Sequence, residues 1–237
     1  MTSKLESIVD HHVGLSCAIQ PADSVGRRED FSLGGTIDQL EATSLSIDIR
    51  QFTGMTNALG RQVMVKMLRA FFEGAVMLLS ERNGVVADFN GDGMIVLFTG
   101  PQRTENGFVA AANITWFTRE VLKPRFAAYF ERDGRPFNNV EHFDAGCGID
   151  DGIVLVTRVG TSEFSDIAWV GRCVNSSAKL CKAARSPESI VVTHEAYERL
   201  DGIGALDQVE WSRAEPLEIG GASRTVVGTG FAAPPAF

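Results

Sequence analysis

Two aspartates stand where a pair of carboxylates could do chemistry. Asp48 closes a predicted first strand, Glu41 to Asp48, and Asp92 lies in Asn90-Gly91-Asp92-Gly93, between the short apolar runs Val85 to Phe89 and Met94 to Phe98. They lie far apart in sequence, but a strand and a following hairpin that neighbour each other in one sheet would bring both to one edge. Two carboxylates there suit hard divalent cations. Mg²⁺ is commonly held by one or two carboxylates together with substrate phosphates. Paired ions activate an attacking oxygen and stabilise a leaving one. The plainer uses are as definite. An aspartate in a glycine-rich turn is a turn former, and one that closes a strand caps the next helix or loop. Spacing alone leaves both readings open.

The elements that must position these residues are legible in outline. Residues 3–12 form a short amphipathic helix, and Pro21 to Gly35 reads as a linker or arm. Arg61 to Ser80 has apolar residues at helical spacing, with its Met and Phe side chains packing into a core. Asn83-Gly84 turns the chain into the hairpin about Asp92. A second long helix runs from about Glu105 to Tyr129, with Pro124 as a kink or break. Glu131 to His142 is a loop. Asp144 to Ile149 and Ile153 to Val159 read as a strand pair turning at Asp150-Asp151-Gly152. Asp166 to Val170 is a short strand, Asn175 to Ala184 a helix, Ser189 to Thr193 a strand and His194 to Leu200 a short helix. Thr225 to Val227 is the clearest strand of the tail. The order predicts an α+β fold: a ferredoxin-like βαββαβ core, antiparallel-rich, with helices on one face. Residues 1–40 form an N-terminal helix and arm, and residues 41–237 one catalytic domain.

Four segments then carry a resemblance. Ser46-Ile47-Asp48-Ile49-Arg50-Gln51-Phe52-Thr53 is similar to the D-I-x-G-F-T segment of class III adenylate and guanylate cyclases. Phe89 to Phe98 resembles their G-D-G hairpin. Gly148-Ile149-Asp150-Asp151-Gly152 is similar to their G-I-H-x-G strand turn, and Trp169 to Leu180 to their W/I-G-x-x-V-N-x-A-x-R-L helix start. The segments stand in the family's order across about Glu41 to Leu200. The resemblance implies the class III nucleotidyl cyclase fold and closure of a nucleoside triphosphate to its 3′,5′-cyclic monophosphate. It makes Asp48, Asp92 and Ile49 holders of two divalent ions, Mn²⁺ or Mg²⁺, and lays the backbone from Ile49 to Thr53, with Arg50 and Phe52, against the triphosphate. Asn175 would orient the ribose. Lys179, where the family has Arg, would stabilise charge on the reacting phosphate as a point charge without the bidentate fork. The resemblance also implies a head-to-tail homodimer with active sites at its interface.

The departures bear on the base. The family glycine after D-I-x is Gln51, which predicts an altered phosphate loop. Adenylate cyclases carry Lys at the position of Asp88 and an acid or Thr at that of Ala168. Without that pair, adenine is poorly read. An ionised Asp88 only accepts hydrogen bonds, and uracil offers one N–H between two carbonyls, which Asp88 flanked by a donor such as Arg50 would complement. The form with Lys for Arg is similar to the pyrimidine cyclases of bacterial Pycsar anti-phage systems, which make cyclic UMP or cyclic CMP. UTP is the expected substrate, with a guanylate cyclase, or a catalytically inactive nucleotide-binding or scaffold domain, as alternatives.

Composition narrows the partners. A net charge of −8 over 237 residues argues against a broad nucleic-acid-binding surface. No apolar run reaches bilayer length, and acidic Glu6 and Asp10 ahead of His11 and His12 do not make a secretory signal. Cys17, Cys147, Cys173 and Cys181 form no CxxC pair, so reduced thiols and a cytoplasmic location are expected.

Overall fold

The computed structural model describes residues 2–15, 18–26, 28–134 and 143–235. Helix α1 spans Thr2–Gly14 and strand β1 Ile19–Pro21; β2 spans Ile37–Ile49, followed by α2 (Phe52–Leu59) and α3 (Arg61–Ser80). The hairpin is β3 (Val85–Asn90) and β4 (Gly93–Phe98). Then come α4 (Arg103–Trp116), a π-helical stretch over Phe117–Leu122, and α5 (Lys123–Arg132). The second half holds β5 (Ala145–Gly160), β6 (Ser165–Val170), α6 (Arg172–Ala183), β7 (Ile190–Thr193), α7 (His194–Leu200), β8 (Glu215–Ile219) and β9 (Ala222–Thr229). The strand order is β3-β4-β2-β5-β7-β9-β8, with β1 on β2 and β6 on β5. The pairs that frame the centre, β2 with β4 and β2 with β5, are antiparallel; β5 with β7 and β1 with β2 are parallel. No described helix is long and apolar enough to cross a membrane.

The expected α+β sheet is present, and α3 runs over the residues its periodicity predicts. Val63, Met64, Met67, Phe71, Ala75, Leu78 and Leu79 recur at helical spacing and are buried. They meet Leu45, Ile47 and Ile49 of β2 and Phe108 and Ala111 of α4 in the main core. The first strand begins at Ile37, four residues before the predicted start, because β1 pairs with its opening residues. The long helix changes character at the π-helical stretch, which runs directly into α5: the Lys123 amide still donates to the Thr118 carbonyl, and Pro124 follows it in the first turn of α5. The predicted loop from Glu131 is helical through Arg132, and residues 135–142 lie outside the described residues.

Two expectations are overturned. The predicted turn at Asp150-Asp151-Gly152 is the middle of one continuous strand, β5. Both aspartates are buried, Asp150 at 0% exposure and Asp151 at 5%. The strand passes through because each carboxylate finds cations on its own side. Asp151 takes Arg103 Nε at 2.7 Å and Arg199 Nε at 2.9 Å; Asp150 takes Arg224 Nη1 at 2.8 Å and Thr193 Oγ1 at 2.6 Å. Nor are the helices confined to one face. Helices α2 to α5 and α7 cover the face of Ile47 and Ile49, while α6 lies on the other, against Ser44, Ser46 and the β5 glycines. Gly148 makes that approach possible: a Cβ there would stand 2.1 Å from the Ser177 carbonyl oxygen.

The described cysteines, Cys147, Cys173 and Cys181, are buried free thiols. Burial pushes the Cys147 and Cys173 thiols up to about 12 and raises Cys181 as well, so they stay protonated and unreactive. Cys17 lies outside the described residues.

Candidate active site

Asp48 is the last residue but one of β2. It pairs with Gly93 of β4 on one side and Gly146 of β5 on the other. Gly93 directly follows Asp92, and its backbone crowds β2: a Cβ there would lie 2.6 Å from the Ile47 carbonyl oxygen and 3.2 Å from Asp48 Oδ1. The Ile49 amide donates to the Asp92 carbonyl at 3.2 Å. Gly91, with φ of 65°, makes the two-residue turn that holds Asp92 against the end of β2. Thus the hairpin and the first strand bring together the two aspartates that sequence placed far apart.

Burial, followed by the negative charge of Asp92, raises the Asp48 carboxyl above its ordinary range, against a smaller pull from Arg50 and Lys182. A buried carboxylate beside a second acid fits a divalent cation, which reverses the sign of the local field. No group of three or more His, Cys, Asp or Glu that could hold a metal occurs among the described residues. An ion held here would therefore complete its shell from main-chain and substrate oxygens, as Mg²⁺ commonly does. The Ile49 side chain is buried in the main core, so Ile49 has only its main chain to offer.

Gln51, in the place of the family glycine, adopts the left-handed conformation at φ 56° and ψ 24°. The backbone turns there in the region glycine favours, and Gln51 occupies the N-cap position of α2 without a side-chain capping bond. Phe52 opens that helix half-buried, and Thr53 is exposed beside it. The Met55 amide makes the first intrahelical bond, to the Gln51 carbonyl at 3.0 Å, so the amides ahead of it have no acceptor within the helix and suit phosphate oxygens. A non-glycine residue held left-handed costs about 1 kcal/mol or more. Gln51→Gly should hold its stability within about 1 kcal/mol of the wild type, and Gln51→Val should lose about 1–2 kcal/mol in urea unfolding. A Val variant as stable as wild type would contradict this turn.

Arg50 does not face open solvent. Its guanidinium fills the space over Gly146 and donates from Nη2 to the Cys181 carbonyl at 2.6 Å, near the C-terminal end of α6. It lines a cavity of about 970 Å³ with Asp48, Gln51, Arg119, Asp144 and Arg185. Arg119 there holds Asp144 at 2.8 Å and also contacts Ser189. Sequence reading gave no role to Arg119 or Asp144; Asp144 directly precedes β5, the strand that pairs with β2.

Asn175 and Lys179 are exposed on the outer face of α6, four residues apart and one helical turn from each other. Asp88 is exposed on β3, just past a register irregularity, and pairs with Ile95. Ala168 on β6 pairs with Thr157 of β5, whereas Asp48 pairs with Gly146 of the same strand. The intervening stretch of β5 measures on the order of 35 Å when extended. One chain brings Asp48 and Asp92 together and sets Asn175 beside Lys179, but it does not gather Ala168 to the aspartates.

This sheet, with the acidic hairpin against the end of β2 and α6 on the opposite face, is the fold of the class III nucleotidyl cyclases. The sequence resemblance to that family stands with it. A uridylate cyclase of Rhodovulum sp. is 24% identical over 170 residues, covering 72% of this chain and 70% of that protein. A uridylate cyclase of Burkholderia cepacia is 26% identical over 184 residues, covering 77% of this chain and 76% of the other. Among solved structures, the guanylyl cyclase Cya2 superposes with a TM-score of 0.67 at 21% identity, over 81% of this chain and 92% of that one. The adenylyl cyclase CyaB of P. aeruginosa does so with a TM-score of 0.65 at 22% identity, over 81% and 95%. No protein-family model matches the chain.

Proposed function

We propose that the chain is a nucleotidyl cyclase that converts a nucleoside triphosphate, UTP before the others, into its 3′,5′-cyclic monophosphate and diphosphate. The observation that carries this reading is the meeting of Asp48 and Asp92 beside the open N-terminus of α2, within the class III fold. Two bound divalent ions would supply activation of the ribose 3′-oxygen and neutralise charge on the departing diphosphate. The chain's own groups do the rest. Asp48 and Asp92, with the Ile49 main chain, would hold the ions. The first-turn amides at Phe52 and Thr53 bind the phosphate tail. Asn175 orients the ribose, and Lys179 places a fixed positive charge against the phosphate as negative charge develops on it. Because Ala168 of one chain lies far along β5 from Asp48, the site is read as shared between two chains, with Asn175, Lys179, Asp88 and Ala168 contributed by the partner in a homodimer.

The preference for UTP rests on Asp88, an acceptor where an adenine-reading Lys stands in adenylate cyclases, and on the two relatives named uridylate cyclase. Arg50 is engaged with Cys181 in its own chain, so its part in reading the base requires that it leave that carbonyl. A cyclic pyrimidine nucleotide of this kind would serve as a second messenger in anti-phage defence. The test is competition among equal concentrations of ATP, GTP, CTP and UTP with Mn²⁺, read by mass detection of cyclic products. Cyclic UMP should exceed each rival about ten-fold or more, the discrimination expected from one mispaired buried polar group at about 1–3 kcal/mol. A dominant cyclic purine would refute the preference, and no cyclic product from any triphosphate would refute the activity.

A further inference from the structure

Helix α6 carries Asn175 and Lys179 outward, and its opposite side is tied to the sheet by buried polar contacts. Ser177 Oγ lies 2.9 Å from Ser44 Oγ and 2.8 Å from Ser46 Oγ, both on β2. Its neighbour Ser176, fully buried, receives Arg224 Nη1 at 3.2 Å. That same nitrogen donates to Asp150 Oδ2 at 2.8 Å, and Asp150 Oδ1 accepts from Thr193 Oγ1 at 2.6 Å. Arg224 Nη2 stands 2.8 Å from Glu195 Oε2 of α7. Arg224 is thus a junction between β9, β5, α7 and α6. Successive helical residues are turned by about 100°, so Ser176 and Ser177 point into the sheet while Asn175 and Lys179 point away. The two serines fix the roll of the helix, and roll determines where the tips of Asn175 and Lys179 arrive.

A close-packed apolar contact would hold α6 less selectively, because it tolerates small rotations that a directional hydrogen bond does not. The position also explains a departure from the family. Where the related strand carries His, this chain has Asp150, and an acid buried at 0% exposure requires a fixed cation. Arg224 supplies the charge and extends it to α6 through Ser176.

We propose that Asp150 and Arg224 are positioning residues for the cyclisation step: the pair seats α6 through Ser176 and so aims Asn175 and Lys179. This rests on the reading of Asn175 and Lys179 as the groups that meet the substrate. The test compares wild type with the double variant Asp150→Asn/Arg224→Gln, which removes both charges together and leaves no lone buried ion. A second variant, Arg224→Lys, keeps the charge but loses the planar fork.

In the double variant, amides of residues 172–183 should exchange hydrogen about ten-fold faster while those of β2 and α3 keep wild-type protection. Its kcat should fall about ten-fold or more, with KM for the triphosphate within about two-fold, since a small misplacement of a reacting group lowers the rate far more than binding. Arg224→Lys should recover part of the kcat. Three results would overturn the proposal: unchanged exchange in α6, exchange accelerated equally throughout the fold, or a loss confined to KM. Failure of the double variant to fold would leave Arg224→Lys to decide by the same two measurements. A wild-type chain inactive on every triphosphate would overturn the proposed activity instead, and the exchange data would still decide whether the pair seats α6.

Discussion

Asp48→Asn or Asp92→Asn should reduce cyclisation on the order of 10³-fold or more, at saturating Mn²⁺, without loss of the fold. The expectation comes from the site's composition. Two carboxylates meet at the end of β2, no group of three or more His, Cys, Asp or Glu arranged to hold a metal occurs among the described residues, and the nearby Asp144 is held by Arg119. Removing either leaves one anionic ligand where two ions are needed, and forfeits several kcal/mol of charge stabilisation, about 1.4 kcal/mol for each factor of ten. The two variants should also differ from wild type before any substrate is added. Mn²⁺ should raise the melting temperature of wild type, since a ligand that binds only the folded state stabilises it, and should have little effect on either variant. The metal-free Asp48→Asn chain should melt no lower than wild type, because burial and Asp92 both disfavour the ionised Asp48 that it replaces. Retained turnover in either variant would remove the metal assignment. An unaltered response of the melting temperature to Mn²⁺ would remove it independently of activity.

Mixing two inactive chains should restore activity. Asp92→Ala spoils the aspartate half of a shared site, and Lys179→Ala spoils the α6 half. A heterodimer of the two holds one site with every residue intact and one with both defects. Random exchange makes half of the dimers mixed, so about a quarter of wild-type activity should return. The rise is from near nothing, which makes this the larger of the two signals against background. The structural motive is the arrangement within one chain. Asp48 pairs at Gly146 and Ala168 at Thr157, on opposite ends of β5, and Asn175 and Lys179 point away from the sheet. A mixture that stays inactive after subunit exchange has been verified would show that each site is built from one chain.

Some of this molecule was written in local sequence. Helix α3 was legible from its period because its buried stripe is unbroken, and the hairpin about Asp92 because Asn-Gly-Asp-Gly between apolar runs has few other uses. Asp48 and Asp92 could be named as partners, since a strand and the following hairpin commonly share a sheet. Asn175 and Lys179 were paired by the resemblance of their segment to the family's helix start.

The features that sequence could not determine were set by contacts between distant residues. Asp150-Asp151-Gly152 has the composition of a turn, yet it lies within a strand, because Arg103, Arg199 and Arg224 arrive from α4, α7 and β9 to balance the two acids. No local rule anticipates a counter-charge supplied from seventy-four residues away. Gln51 has no local reason to turn left-handed; the pairing of β2 and the start of α2 impose it. Arg50 could have faced solvent or substrate, and the bare surface of Gly146 on a neighbouring strand gave it a third place. The seat of α6 on the far face depended likewise on Gly148, Ser44 and Ser46, small residues whose value appears only when a helix lies across them. Periodicity reports which side of an element is buried; only the assembled sheet decides which partner buries it, and with what charge.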